Sequence, residues 1–313
     1  MMIKNIILSC VLLLSLSSCE DFFTATKEID LEEYAGQITV VGRLINTDLD
    51  TVENAETFRH LGVLISESRS VLDTSSFKVV EDADISLVSN GGLDVSFRFD
   101  DNSGYHFPTN ANASDFQRIS VEENTEYQLI VDMPGEDRVT AICETKTFGK
   151  VNNINLIRDD IDGGDGSTLD RVQINIDDPT GENFYYLNVF YEREQFSVGE
   201  RSTFLNRGYL YSYNSIFDDS PELFTDELFD GKTETLEFWS ERYERQDLGE
   251  ISRVIVFLWS LSKEEYDFRR SVDANNEAQD NPFAEPSIVF SNIENGVGIF
   301  SMSKIDRFVI PWE

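Results

Sequence analysis

The sequence has 313 residues, of which 40% are hydrophobic and 12% aromatic, so it contains enough apolar material for folded cores. Its 59 acidic residues against 25 lysines and arginines give a net charge of −34 at pH 7. Because so negative a surface repels other polyanions, the composition excludes nucleic acids as partners, whereas basic proteins, cations and neutral ligands remain.

The first eighteen residues have the three parts of an export signal. Lys4 supplies positive charge, residues 6–16 form an apolar run, and the small residues Ser17 and Ser18 precede a cleavage site. An apolar run of that length is too short to span a bilayer, because a spanning helix requires about twenty apolar residues. We therefore predict that residues 1–18 are a signal peptide that is removed.

The four residues Leu16-Ser17-Ser18-Cys19 resemble the lipobox of bacterial lipoproteins. The resemblance implies that the thiol of Cys19 accepts a diacylglycerol. We therefore expect the mature chain to begin at acylated Cys19 and to be anchored in the outer membrane. Each buried methylene group of an acyl chain contributes about 0.8 kcal/mol, so several chains hold a protein at a membrane permanently. An ordinary secretory signal that contains a cysteine is the alternative.

The acidic residues Glu20 and Asp21 follow the lipobox directly. This arrangement resembles the start of surface lipoproteins of Bacteroidota, which implies display on the cell exterior. A solvated tether would explain the same residues. We predict that residues 19–35 form an acylated tether ahead of the first folded domain.

Residues 36–148 are predicted to form an N-terminal β-sandwich domain, because apolar and polar residues alternate there with a period of two. Asn90-Gly91-Gly92 and Pro134-Gly135 predict tight turns, since glycine allows a positive φ. Short strands at regular spacing are typical of an immunoglobulin-like or transthyretin-like sandwich. The predicted strands are 38–45, 62–68, 83–89, 93–99, 127–133 and 138–146.

Residues 149–313 are predicted to form a second, β-rich domain, because polar stretches at 149–170 mark a junction. Its expected strands are 172–176, 184–192 and 254–259. A turn at Asp178-Pro179 separates the first two of these strands. The third has no polar alternation, which indicates a central strand buried on both faces.

One helix is predicted in this second domain, beginning at Ser262. Ser262 and Glu265 have the spacing that predicts a capping box, and Phe268 and Val272 are predicted to continue one face of the helix. The chain is therefore predicted to be all-β: two β-sandwich-like domains, with one helix in the C-terminal domain.

Three stretches occur in a characteristic order: VVGRLINTD, then DPTGENFYYLNVFYE, then NPFAEPSIVFSNIENGVGIFS. Together with the lipobox, they resemble the Bacteroidota lipoproteins catalogued as domain of unknown function 4249. The resemblance spans nearly the whole mature chain. It implies a mostly β outer-membrane lipoprotein, often encoded beside a TonB-dependent transporter, and it supplies no catalytic residues. Within the last stretch, Asn295-Gly296 predicts a hairpin turn between strands at 287–293 and 297–303.

Cysteine use excludes an intramolecular disulfide in the mature chain. Cys10 leaves with the signal, Cys19 carries the lipid, and Cys143 remains alone in a strand-like context that predicts a small buried residue. No zinc, nucleophile-elbow or phosphate-loop motif is present, and His60 and His106 lie in unrelated contexts. We therefore predict that the protein is not an enzyme. A calcium- or glycan-related enzyme that uses paired carboxylates is the third alternative.

The best candidate for a metal site is the acidic stretch at 159–166. Its spacing does not fit an EF-hand, but Asp160, Asp162 and Asp165 could form an irregular cage of carboxylate oxygens for Ca²⁺. A solvated linker is the alternative reading of this stretch. No other cofactor is predicted.

Tyr209, Tyr211 and Tyr213 alternate in the segment GYLYSY. The alternation predicts one strand face of three aromatic rings that could stack a sugar or grip a peptide. The alternative is a structural role, because tyrosine favours half-buried strand positions.

Together with what the family resemblance implies, the sequence predicts a non-catalytic outer-membrane lipoprotein that assists nutrient uptake by a TonB-dependent transporter. A structural or assembly component of an envelope complex is the alternative.

Overall fold

The computed structural model describes residues 36–46, 61–69, 74–75, 78–109, 119–162, 168–197, 202–209, 211–212, 223–241, 251–280 and 288–311. The first strands in chain order are β1 Ile38–Asn46, β2 Leu64–Glu67, β3 Asp84–Ser89, β4 Asp94–Asp100, β5 Tyr105–Thr109, β6 Glu126–Asp132, β7 Val139–Glu144, β8 Lys150–Asp162 and β9 Thr168–Asp177. They are followed by β10 Phe184–Ser197, β11 Ser202–Tyr209, β12 Tyr211–Ser212, β13 Leu223–Thr225, β14 Thr233–Glu241, β15 Ile251–Leu261, helix α1 Lys263–Asp280, β16 Ile293–Glu294 and β17 Val297–Pro311. The predicted all-β fold with one helix in its C-terminal part is confirmed for these residues.

The strands of the described residues form three sheets. Sheet I has the order β11-β10-β15-β17-β1-β2, and β13 pairs with another part of β10. Sheet II has the order β16-β7-β6-β3-β4-β5, and sheet III has the order β12-β14-β9-β8. The strand pairs are antiparallel except for β1 and β17, which run in parallel from Thr39 beside Val297 to Asn46 beside Lys304.

Sheets II and III both pack against one face of sheet I. Phe300 and Met302 of β17 belong to the core that sheets I and II share, and Phe308 packs against the core that sheets I and III share. Because the side chains of a strand alternate between its two faces, these even-numbered residues lie on the same face. The predicted sandwich-like architecture is therefore confirmed, with sheet I common to both cores.

Strands from both predicted domains meet in sheet I, because β1 lies directly beside β17. The contact depends on Gly298, whose φ is +123° and where a Cβ atom would lie 2.0 Å from the carbonyl oxygen of Val40. Only glycine fits this backbone conformation and this close approach. The division of the chain at residue 149 stays a prediction.

Helix α1 lies on the opposite face of sheet I. Ser262 caps the helix as predicted, since its Oγ accepts a hydrogen bond from the backbone N–H of Glu265 at 3.4 Å. The ring of Tyr266 lies 4.9 Å from that of Phe184 on β10, and Ser301, an odd-numbered residue of β17, donates a hydrogen bond to Glu265. Among the described residues, no helix is both long and apolar enough to cross a membrane.

Several local predictions are confirmed. Asn90-Gly91-Gly92 joins the paired strands β3 and β4, and Pro134-Gly135 joins β6 and β7. Asp178-Pro179 lies in the turn before β10. Residues 254–259 lie in β15 at the centre of sheet I, and Cys143 is buried in β7.

The predicted junction at 149–170 is largely strand rather than a polar linker. It contains β8 and the beginning of β9, which pair as a long hairpin. A polar linker was predicted because the outward-facing positions of this hairpin are polar. Alternate residues such as Val172 and Ile174 face the core shared with sheet I.

The predicted hairpin at Asn295-Gly296 is wrong, although the turn itself is present. Asn295 has a φ of 60°, but β16 before it pairs with β7 in sheet II, whereas β17 after it belongs to sheet I. A turn motif determines where the chain reverses, but not which strand each arm pairs with.

Candidate functional site

The candidate site begins with a buried carboxylate in the first turn of α1. Glu265 is buried, and its two oxygens accept hydrogen bonds from residues that lie on three different elements. The donors are Arg43 Nε of β1 at 3.1 and 3.0 Å, Arg43 Nη2, Arg269 Nε one turn further along α1 at 2.7 Å, and Ser301 Oγ of β17 at 2.7 Å. A buried charge is tolerated when it is paired and hydrogen-bonded in this way.

The electrostatics of this cluster favour the ionised carboxylate. Burial alone would raise the pKa of Glu265, and the charges of Arg43 and Arg269 oppose this effect. Hydrogen bonds from Arg43 and Ser301 act in the same direction, and the pKa falls to about 2. Glu265 is therefore an anchor for two arginines and not a proton donor at neutral pH.

Arg269 is held between this carboxylate and two aromatic rings. Its guanidinium carbon lies 4.2 Å from the ring centroid of Tyr186 on β10 and 5.4 Å from that of Trp259 on β15. Tyr186 and Trp259 are directly paired across the two strands, so both rings stand on the helix-facing side of sheet I. Stacking occupies the faces of the guanidinium and leaves its edges available for hydrogen bonds.

The two arginines line an open cleft of about 280 Å³ between α1 and sheet I. Arg43 and Arg269 remain 26% and 17% exposed, respectively. The cleft is lined by Arg43, Tyr186, Leu223, Phe268, Arg269, Val272 and Asp273. Arg43 also lies 5.7 Å from the ring centroid of Phe268. Apolar walls with a few fixed polar groups are typical of a small-ligand site.

A second polar cluster consists of Asp178, Asp226 and Asp230. One carboxylate oxygen of each lies within 4.8 Å of the others. Burial raises the pKa of Asp178 and of Asp226, hydrogen bonds oppose the change, and the charge of Asp230 adds to it. The donors are Tyr185 Oη (2.6 Å) and Gly231 N (2.8 Å) to Asp178, Asn183 N and Nδ2 (both 3.1 Å) to Asp226, and Gly181 N (2.8 Å) to Asp230.

Three converging carboxylates could hold a cation such as Ca²⁺, which prefers oxygen ligands. However, each carboxylate of this cluster is already hydrogen-bonded to the turn before β10 or the turn before β14. Because these hydrogen bonds join the two turns, a structural role is enough to explain why the three carboxylates lie close together. The cleft beside α1 is therefore the stronger candidate for a functional site.

Comparison with known proteins gives one family. The family model described as "Domain of unknown function (DUF4249)" matches residues 51–308, which is most of the chain. The chain belongs to the DUF4249 family. No curated protein and no solved structure matches it. The matched range of the DUF4249 chain includes the cleft residues of β10, β13 and α1, whereas Arg43 on β1 lies before it.

The residues predicted for calcium in this DUF4249 protein do not form a described site. The backbone of β8 includes Asp160 and Asp162, so both lie in an extended hairpin arm and not in a loop. Asp165 lies outside the described residues. The calcium assignment stays a prediction.

The tyrosines predicted to share one strand face are divided between two sheets. Tyr209 is the last residue of β11 and pairs with Phe190 in sheet I, whereas Tyr211 begins β12 and pairs with Trp239 in sheet III. The prediction of one continuous strand face is therefore wrong, because the chain leaves one sheet for the other between them. Tyr213 lies outside the described residues, and the ligand-binding role of the tyrosines stays a prediction.

None of the cysteines and histidines named in the sequence analysis is among the described residues of the candidate site. Cys19 and His60 lie outside the described residues. His106 is buried in β5 beside the ring of Phe99, and burial lowers its pKa, so it is a neutral core residue. Burial also raises the pKa of the Cys143 thiol well above its ordinary value, which makes this thiol unreactive.

The sequence predicts the helix that lines the cleft but not the two arginines. Ser262 and Glu265 predict the start of α1, and the spacing of Phe268 and Val272 predicts one face of this helix. Arg269 lies beside that face and four residues after Glu265, a spacing that favours an ion pair on a helix. That spacing was the available signal, whereas Arg43 gave none because it is 222 residues away from Glu265.

Proposed function

We propose that this DUF4249 protein is a non-catalytic outer-membrane lipoprotein that assists nutrient uptake by a TonB-dependent transporter. Acylated Cys19 would hold it at the membrane, facing the cell exterior, and residues 19–35 would connect the lipid to the folded body. Its transporter partner would supply the passage across the membrane, and the lipoprotein would supply a binding or covering surface outside it.

The observation that carries this proposal is the order of residues at the amino terminus. An apolar run too short to span a bilayer is followed by Leu16-Ser17-Ser18-Cys19 and then by acidic residues. The strong negative charge is consistent with lipid as the anchor, because the surface of the protein is repelled by anionic headgroups.

A non-catalytic role is supported by the chemistry of the cleft. The cleft is lined by charged and apolar side chains, and the Glu265 carboxylate beside it accepts hydrogen bonds from two arginines. Arginine stays protonated at neutral pH, so these two side chains bind anions and do not transfer protons. The arrangement supports binding rather than acid–base catalysis.

The proposal is tested by affinity capture from native membranes. The tagged full-length chain is purified in mild detergent, and the proteins that co-purify are identified by mass spectrometry. We expect a TonB-dependent transporter, recognised by its plug domain, to co-purify with the wild-type chain and with Ser18→Ala, which keeps a small residue in the lipobox. Cys19→Ser should lose the transporter.

Capture of assembly machinery without a transporter would contradict the uptake role and would favour the alternative, a structural or assembly component of an envelope complex. A hydrolytic activity towards glycans would favour the enzyme hypothesis instead. Calcium at Asp160, Asp162 and Asp165 is a separate part of the proposal, and calcium titration of the purified chain tests it.

A further inference from the structure

The first feature of the cleft is the edge of the Arg269 guanidinium formed by Nη1 and Nη2, which takes no part in the buried ion cluster. Its Nε donates to Glu265 at 2.7 Å, and its face stacks on Tyr186. Within the described part of the chain, Nη1 and Nη2 donate no hydrogen bond to protein. A guanidinium edge with two parallel N–H donors matches the two oxygens of a carboxylate.

The second feature is Asp273, which lines the same cleft one helical turn beyond Arg269. Residues four apart on a helix have Cβ atoms about 5 to 6 Å apart. The two side chains nevertheless form no ion pair, and Asp273 has no hydrogen-bond partner among the described residues. A free cation-binding group and a free anion-binding group therefore open into one cleft.

The third feature is the apolar wall between these two groups and the sheet. Phe268 and Val272 project from α1 at the same four-residue spacing, and Leu223 projects from β13 beside Tyr186. A ligand held at the polar groups would place an apolar side chain against this wall. A volume of about 280 Å³ fits one small molecule of that kind.

Charge restricts the ligand further. Glu265, Arg43 and Arg269 together carry one net positive charge, and Asp273 cancels it at the mouth of the cleft. A cleft of zero net charge in a chain of net charge −34 disfavours phosphates and other polyanions. A molecule with one carboxylate and one ammonium group satisfies both free side chains without adding charge.

We infer that the cleft binds a free amino acid with an apolar side chain. The carboxylate pairs with Nη1 and Nη2 of Arg269, the ammonium group pairs with Asp273, and the side chain packs against Leu223, Phe268 and Val272. This inference goes beyond the proposed function and does not depend on it, because the cleft forms from residues of the folded body alone.

The test is calorimetric titration of the purified full-length protein with three probes that share a phenyl group. L-phenylalanine carries both charged groups, 3-phenylpropionate lacks the ammonium group, and 2-phenylethylamine lacks the carboxylate. We expect L-phenylalanine to bind most tightly and each of the other two to bind at least tenfold more weakly.

Variants assign each charged group of the probe to its partner. Arg269→Gln should weaken binding of L-phenylalanine and 3-phenylpropionate at least tenfold and should not weaken binding of 2-phenylethylamine, which carries no carboxylate. Asp273→Asn should weaken binding of L-phenylalanine and 2-phenylethylamine and should not weaken binding of 3-phenylpropionate, which carries no ammonium group. Arg270→Gln is the matched control, because Arg270 lies on the same helix outside the cleft, and it should bind all three probes like the wild type.

The inference is overturned if L-phenylalanine does not bind at millimolar concentration, or if the three probes bind equally. It is also overturned if Arg269→Gln and Asp273→Asn bind like the control. Should Arg269→Gln fail to fold, Val272→Phe carries the test, because it fills the cleft without touching the buried ion cluster and should abolish binding. Capture of a transporter is unaffected by these outcomes.

Discussion

The side chain of Glu265 joins three elements, because it accepts hydrogen bonds from β1, from β17 and from its own helix. A capping box would turn the same side chain back to the backbone of Ser262. Instead, the N–H of Ser262 donates to the carbonyl of Met302, and the carboxylate of Glu265 is directed to the arginines. The sequence predicts that Glu265 caps its own helix, but in the folded protein its side chain connects α1 to β1 and β17.

The first prediction concerns the pH dependence that follows from this cluster. The pKa of Glu265 is about 2 in the folded protein, against 4.5 for an ordinary glutamate. Since the folded value is the lower one, the stabilisation is complete above pH 4.5 and is lost as the pH falls towards 2. It amounts to about 3 kcal/mol at neutral pH.

Glu265→Gln should therefore lower the free energy of unfolding by about 3 kcal/mol at pH 7 and progressively less below pH 4.5. Urea unfolding of both proteins at several pH values measures the difference. Glu277→Gln, an exposed position on the same helix, should match the wild type throughout. A constant difference between Glu265→Gln and wild type from pH 7 to pH 3 would contradict the prediction.

At the scale of elements, the parallel pairing of β1 with β17 brings the two ends of the folded body together. Eight consecutive residue pairs, from Thr39 to Asn46 on one strand and Val297 to Lys304 on the other, keep one register. This pairing places Arg43 beside Ser301 and hence under α1. The candidate cleft therefore depends on the β1–β17 pair, which no local sequence pattern predicts.

The second prediction tests this strand pair at Gly298. Gly298→Ala should destabilise the protein by about 3 kcal/mol or more, because it combines a disfavoured φ with a clash against the carbonyl of Val40. The matched control is Gly135→Ala in the β6–β7 turn, which has a φ of +87° and no atom within 4 Å.

Gly135→Ala should cost about 1 kcal/mol, the strain of the backbone alone. Thermal and urea unfolding of both variants measure the two losses. Equal losses for the two alanines would contradict the proposed role of the β1–β17 contact.

The sequence predicts local features of this fold well. Alternation located β3, β4, β6 and β7, and the glycine-containing turns between them were placed correctly, because each depends on residues close in the chain. The strand at 172–176, which lies in β9, was predicted, but its partner β8 was missed because the outward positions of β8 are polar. The separation of β16 from β17 was missed because pairing partners are chosen by packing between distant segments.

The candidate site shows the same limit. Helix α1, which supplies half of the cleft, and its apolar residues Phe268 and Val272 follow from period and capping, but the pattern does not single out Arg269 or Asp273. The other half comes from β1, β10 and β13, and only the folded chain brings these strands together. The tyrosines at 209 and 211 illustrate the opposite error, because a regular sequence pattern crosses from one sheet to another.

At the scale of the whole molecule, the described residues form a body of three sheets and one helix, and the chain as a whole is strongly acidic. Sheet I is buried by sheets II and III on one face and by α1 on part of the other. In the proposed function, this body is joined to the membrane only by the segment that follows Cys19. Lipid attachment at that residue would then decide where the protein acts.

Mass spectrometry of the mature amino terminus examines that attachment. The chain is purified from its native membranes and digested, and the peptide that begins at residue 19 is identified by its mass. The proposed function predicts that residues 1–18 are absent and that Cys19 carries a diacylglycerol thioether. An unmodified thiol at Cys19, or a chain that still carries the first eighteen residues, would contradict it.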